Sequence, residues 1–203
     1  MAAPAWEHNV AELGRPRRAA PTTTQVIDVI IRKAKMEERE ALQQLIAESA
    51  RRLSREHYSD VQIEAAIATV FGVDTTLIED ETYFVVEIDG QIAGCGGWSK
   101  RKTLFGGDQY SSRDITYSDP KTDPAKIRAF FVHPDHARKG VARALVSQCE
   151  DEARTNGFHA LELLSTLPGI EFYKSCGFVE IGNLDLDLAD GVKLEFVPMR
   201  KEL

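Results

Sequence analysis

The sequence predicts a mixed α/β domain of the α+β kind: a central mixed, mostly antiparallel sheet with helices on both faces and one parallel β-α-β unit. Three observations carry this. Runs with strand and helix periods follow one another in the order β-α-α-β-β-β-α-β-α-β-β. Asp89-Gly90 and Asp190-Gly191 each join two β-rich runs, the strongest short-range hairpin signal. The stretch 126–166 reads strand-helix-strand, which requires a parallel pair with a right-handed crossover.

Residues 1–24 are rich in Ala, Pro, Thr and Arg without a sustained period and read as a flexible tail. A transit peptide is the alternative for this tail, with Glu7 and Glu12 against it because such peptides are poor in acids. The domain spans 25–203. "VIDVIIRKA" (26–34) reads as a strand, and the next run, 36–56, places Leu42, Leu45, Ile46 and Leu53 near helical spacing. A second helix opens at Ser59 with Gln62 three residues on, a capping box, and turns Ile63, Ile67, Val70 and Phe71 to one face. Residues 82–98 form a hairpin. The polar segment 103–125 is longer than most structureless loops, so it is either functional or a disordered surface loop.

"KIRAFFV" (126–132) is a strand stopped by His133-Pro134. A helix over about 138–156 repeats Val141, Leu145, Cys149 and Ala153, widened by Ala142 and Val146, until Asn156-Gly157 ends it. "ALELLST" (160–166) is the returning strand. A short helix, 168–178, starts at Pro168 and stops at Gly177. Leu184, Leu186 and Leu188 alternate on one face before Asp190-Gly191 turns the chain into a last strand.

The 203 residues are 43% hydrophobic and 28% charged, with a net charge of −7. An acidic chain argues against nucleic acid as a partner, since phosphate backbones need a basic face. Three widely spaced cysteines, Cys95, Cys149 and Cys176, with no C-x-x-C pair, fit neither a disulfide scaffold nor a zinc site. Reduced thiols point to the cytoplasm. No apolar run approaches the roughly 18 residues that a membrane span requires. Pro134 breaks any helix that would align His133 with His136, so no metal is expected.

Chemistry concentrates where the 138–156 helix begins. A helix N-terminus presents unpaired N–H groups and about half a positive charge. Arg138, Lys139, Gly140 and Arg143 lie there, although cations at that end oppose the helix dipole. A bound polyanion offsets this, and the cluster reads as a pyrophosphate cradle; a solvated basic helix start is the alternative. Neither GxxxxGK[ST] nor GxGxxG is present.

"FFVHPDHARKGVARAL", followed by a strand and "FYKSCGF", resembles the GNAT superfamily of acetyl-CoA-dependent N-acetyltransferases. Val132 and Pro134, Gly140 and Ala142, and Tyr173, Gly177 and Phe178 carry the match. Ala137 replaces the usual Gln or Arg, Thr166 stands where Asn is frequent, and the strand 126–132 lacks a carboxylate, where many members keep a Glu. The resemblance implies acetyl-CoA as co-substrate and a primary amine, on a small molecule or a peptide, as acceptor. It implies that pantetheine lies in a splay between 126–132 and 160–166, bonded by the backbone around Phe130, Phe131 and Val132. The cofactor would also meet Arg138, Lys139, Gly140, Val141, Ala142 and Arg143 at the helix start, and Thr166 at the end of the strand 160–166. Tyr173 would protonate the departing thiolate. Glu162, His133 or relayed water could take the amine's proton. Trp98, Arg101, Phe105 and Asp108, in the hairpin end and loop, are candidates for acceptor binding. A monomer or homodimer is expected. A non-catalytic acyl-CoA-binding or regulatory module on the same fold is the competing reading.

Overall fold

The computed structural model describes residues 29–203; the tail 1–24 and the first residues of the 26–34 strand lie outside that range. Its sheet has eight strands: β1 (Val29–Lys33), β2 (Tyr83–Ile88), β3 (Gln91–Ser99), β4 (Ala125–Val132), β5 (Ala160–Thr166), β6 (Val179–Glu180), β7 (Leu184–Asp187) and β8 (Lys193–Glu202). The order is β1-β2-β3-β4-β5-β8-β6, with β7 also on β8. All pairs are antiparallel except β4–β5.

Each hairpin turn takes the backbone that Asp-Gly favours. Asp89 and Gly90 have φ of 51° and 79°, and Asp190 and Gly191 have 58° and 74°. Two positive φ values in succession match the right-handed twist of the flanking strands.

Two cores flank the sheet. On one face lies α4 (Val141–Thr155), which buries Val141, Leu145, Val146, Cys149 and Ala153, the stripe its spacing predicts. On the other lie α1 (Arg39–Leu53) and α2 (Asp60–Thr69). α1 buries Leu42, Leu45, Ile46, Ser49 and Ala50, whereas Leu53, expected on that stripe, is 39% exposed at the helix end. The α2 capping box forms: Gln62 N donates to Ser59 Oγ at 3.3 Å, and Ser59 N donates to Gln62 Oε1 at 3.0 Å.

Besides a 3-10 turn at Pro134–His136, two elements go unannounced by the sequence. α3 (Thr75–Glu79) is a single turn capped by Asp74, which accepts from Thr76 N at 3.1 Å. The two-residue β6 exists only because β8 offers an edge. The helix expected from 138 starts at Val141, after a turn in which Arg138 and Gly140 both have positive φ. The helix expected over 168–178 is a 3-10 turn, Leu167–Gly169, running into α5 (Ile170–Ser175), with Gly177 at φ 90° behind it.

Burial shifts several acids in one direction. It pushes the Cys95 thiol from 9.0 up to about 12 and the Tyr58 phenol from 10.0 up to about 12. Both groups fold as neutral species, so their stabilising effect is whole below the ordinary thiol pKa and declines as pH rises toward the folded values. The urea midpoint should therefore be lower at pH ~10 than at pH ~7, and Cys95→Ala should shrink that difference. Equal midpoints at the two pH values would contradict this account.

Candidate functional site

β4 and β5 pair only at Ala125↔Leu161 and Lys126↔Glu162. Beyond these the strands diverge, and the edge of β4 that faces β5 has no strand partner among the described residues. On its other edge β4 follows β3 with one irregularity: Ala129 and Phe130 together stand opposite Gly96. This bulge puts Ala129 at φ 53°, a conformation rare outside glycine.

Three features hold the bulge. The Phe130 ring lies directly over Gly96, where an added Cβ would come within 2.5 Å of it. Tyr83, fully buried, donates its hydroxyl to Ala129 O at 3.2 Å. Burial raises the Tyr83 phenol well above its ordinary pKa and so keeps it a donor. Arg128, 3% exposed, donates to Asp74 Oδ2 at 2.8 Å and to the carbonyls of Thr103 and Gly106 at 3.0 and 2.6 Å. Asp74 also accepts from Arg113 at 2.7 Å. The segment after β3 is thereby fastened across the end of β4: the long loop is ordered by buried charge rather than by regular structure.

The divergence opens a cleft of about 840 Å³. One end lies between β4, β5, α4 and α5, and the other is bounded by α1 and residues 70–72 and 104–106. At the first end, Val141 pins α4 to β3, because its side chain fills the space a Cβ on Gly94 would need. Gly140 caps α4 with no side-chain hydrogen bond, and the first intrahelical bond is Ala144 N to Gly140 O. The amides of the first turn therefore have no partner among the described residues. Gly140 owes its glycine to φ 87° rather than to crowding, since nothing lies within 4 Å of a Cβ there.

Phe130, Phe131, Val132, Arg138, Gly140, Val141, Ala142, Arg143 and Thr166 all line this cleft, whereas Lys139 does not. Arg143 donates to Ser175 Oγ at 2.8 Å, which ties α4 to α5. Tyr173 lines the cleft from α5, 9% exposed, its ring packed against Phe130, Phe172 and Phe178. Burial, and then Cys149 and Cys176, push its phenol above the ordinary value, so it is a protonated donor across the neutral range.

Other candidates lie elsewhere. Glu162 is held by Lys126 at 2.6 Å and Arg200 at 3.1 Å, and His133 faces Glu48 at 3.5 Å; neither lines the cleft. Phe105 lines it, but Trp98, Arg101 and Asp108 do not. Trp98 is buried against Phe158, with Nε1 donating to Glu152 at 3.1 Å. Arg101 chelates Asp80 at 2.6 and 2.8 Å and stacks over Tyr117. Asp108 accepts from Thr75 N and Oγ1, both at 2.9 Å, closing the start of α3. Residues that the sequence does not point to include Tyr83 and Asp74, and His136, weighed there only for a metal, also lines the cleft. The His136 Nδ1 is buried and without a partner among the described residues. The Gly-Cys-Gly-Gly run 94–97 is a local sign of close backbone approach on β3. No comparable sign marks the Arg128–Asp74 pair, whose members stand 54 residues apart.

The model of the Acetyltransferase (GNAT) family matches residues 39–178. No curated protein matches the chain. Among solved structures, a GCN5-related N-acetyltransferase from Rhodopseudomonas palustris superposes with a TM-score of 0.64 at 19% identity, covering 88% of this chain and 98% of that one. PaiA N-acetyltransferase from Thermoplasma acidophilum, in complex with coenzyme A, gives 0.57 at 16% identity, covering 87% and 99%. YncA from Salmonella typhimurium, with its cofactor acetyl-CoA, gives 0.57 at 19% identity, covering 87% and 94%. These three likenesses are likenesses of fold.

Asp74→Asn removes the charge that compensates buried Arg128 and should destabilise the protein by about 3–5 kcal/mol. Urea denaturation measures the loss, and proteolysis under native conditions should begin within 103–125. A loss below about 1 kcal/mol would mean that Arg128 finds compensation elsewhere.

Proposed function

The chain belongs to the GNAT acetyltransferase family, and from that premise we propose that it moves an acetyl group from acetyl-CoA to a primary amine in a ternary complex. The observation that carries this reading is the divergence of β4 from β5 beside the bulge at Ala129, with the unpaired start of α4 at one end of the opening.

The unpaired edge of β4 around Phe130, Phe131 and Val132 suits an extended amide chain such as pantetheine, which adds to a strand edge as a further strand would. Amides of Val141, Ala142 and Arg143 face the pyrophosphate, and the positive ends of these peptide dipoles favour it. Arg138 adds charge at the rim. With Ala137 offering no polar side chain, the backbone and Arg138 take the larger share of that contact. Held in the cleft, the amine attacks the thioester carbonyl, and fixed proximity supplies much of the rate. The C–S bond breaks, and the electron pair leaves on sulfur. Tyr173 gives its proton to that thiolate, and water in the cleft takes the proton lost by the amine. A phenol above its ordinary pKa is a weaker acid than usual, but the same apolar setting raises the proton affinity of a thiolate formed beside it and so offsets this. Support for Tyr173 in this role is its place on the cleft and its buried phenol.

A non-catalytic acyl-CoA-binding module is the second reading, favoured by the lack of a carboxylate in 126–132. A thiol-release assay with acetyl-CoA across a panel of amines separates the two. Amine-dependent release supports catalysis; tight binding without release supports the module.

Tyr173→Phe keeps the ring and its packing, and should lower kcat by about 10²–10³ with KM for acetyl-CoA little changed. In the wild type the high-pH limb of kcat should lie above about pH 10, because the phenol is raised. A variant with near wild-type kcat, measured where chemistry limits turnover, would return Tyr173 to packing alone. Gly140→Asp places a carboxylate and a strained left-handed residue at the start of α4. It should weaken acetyl-CoA binding by at least about 2 kcal/mol, near 30-fold, while far-UV circular dichroism stays unchanged. Unaltered affinity in calorimetric titration would remove the cradle.

A further inference from the structure

The two ends of the cleft differ in chemistry. Its ionisable lining residues among those described are Arg128, His136, Arg138, Arg143, Glu171 and Tyr173. The one carboxylate, Glu171, is on α5, with a side chain 85% exposed and paired with Lys174 at 3.1 Å. The end bounded by α1 and by residues 70–72 and 104–106 has no carboxylate among the described residues lining it. Arg128, paired with Asp74, and His136, whose turn Pro134–His136 packs against α1, are the ionisable lining groups near it.

What that end offers instead is mostly apolar, with Ser49 and Ser54 as its hydroxyl-bearing side chains. Leu53, Val70, Phe71, Phe105, Phe131 and Phe196 line it. Phe71 stands at the centre, edge-on to Phe131 at 5.5 Å and to Phe196 at 6.3 Å. Leu53, the residue that leaves the α1 core stripe, is exposed at its mouth. The phosphate-binding features lie at the opposite end, so this end is left to the acceptor.

We propose that the acceptor is a monoamine carried on an aromatic or aliphatic body, and that the Phe71 cluster excludes polyamines. The inference rests on the acetyltransferase reading above. A body without charge gains from leaving water against Phe71 and Leu53. A second ammonium would lose its hydration and find no anion in return. One ammonium is tolerated because it is the reacting group: it sheds its proton before attack.

The test uses the full chain with saturating acetyl-CoA and follows thiol release with 2-phenylethylamine, hexylamine and spermidine. The expected kcat/KM for the two monoamines exceeds that for spermidine by at least about 30-fold. Leu53→Asp, at an exposed helix end where the fold tolerates it, should supply the missing anion and narrow that ratio at least about tenfold. Spermidine used as well as or better than the monoamines would overturn the proposal. So would a ratio unmoved by Leu53→Asp, because the acceptor would then not pass this mouth. Calorimetric titration of acetyl-CoA alone keeps the two failures apart. If acetyl-CoA binds and neither monoamine is turned over, the acceptor class falls and the cofactor site stands. If acetyl-CoA does not bind, the acetyltransferase reading itself falls, and this inference with it.

Discussion

The parallel pair β4–β5 lasts two residues, and the cleft opens from that interruption. Buried N–H and C=O groups must find partners. A strand that loses its neighbour in mid-sheet either closes again, meets water or meets a ligand. Here closure is prevented from within β4. Ala129 sits in a left-handed conformation at a bulge, and Phe130 is turned over Gly96. A strained residue persists only where its surroundings over-determine it, and the surroundings are the Tyr83 hydroxyl and the Arg128 ion pair on either side.

The buried Arg128–Asp74 pair has two duties. It anchors an otherwise irregular loop to β4, through the carbonyls of Thr103 and Gly106. It also leaves a cation, already paired, on the wall of the cleft, in a strand that carries no carboxylate. A buried ion pair is poor evidence of net stabilisation, because desolvation offsets most of its attraction. Its value lies in specificity of geometry: Asp74 Oδ1 takes Arg113 and Oδ2 takes Arg128, so one carboxylate sets α3, the loop and the strand together.

The cleft is accordingly divided. Toward α4 it presents unpaired amides, Arg138 and Arg143, suited to an anion. Toward α1 it presents phenylalanine rings. Tyr173 lines the cleft from α5, beneath Phe130 and beside two buried thiols, in a setting that keeps its phenol protonated.

Local patterning by itself determined most of the architecture. Asp-Gly turns, the Ser59/Gln62 box, the four-residue stripe of α4 and the strand-helix-strand run each depend on neighbours within a few positions, and each appears in the molecule where the residues place it. The basic cluster before Val141 likewise announced a helix N-terminus, although only the backbone showed that Arg138 and Gly140 form a turn ahead of the helix. Tertiary structure decided the rest. Trp98 and Arg101 look like binding residues in a polar stretch, yet Glu152 and Asp80, distant in sequence, draw them into structural contacts. Leu53 keeps the helical period of a core residue, but α1 ends there and the side chain meets the cleft. The bulge at Ala129 and the pairing of Arg128 with Asp74 depend on which strands adjoin and on how far a buried charge lies from its partner. Neither quantity is encoded within any short window of the chain, and so neither could be read before the strands were in place.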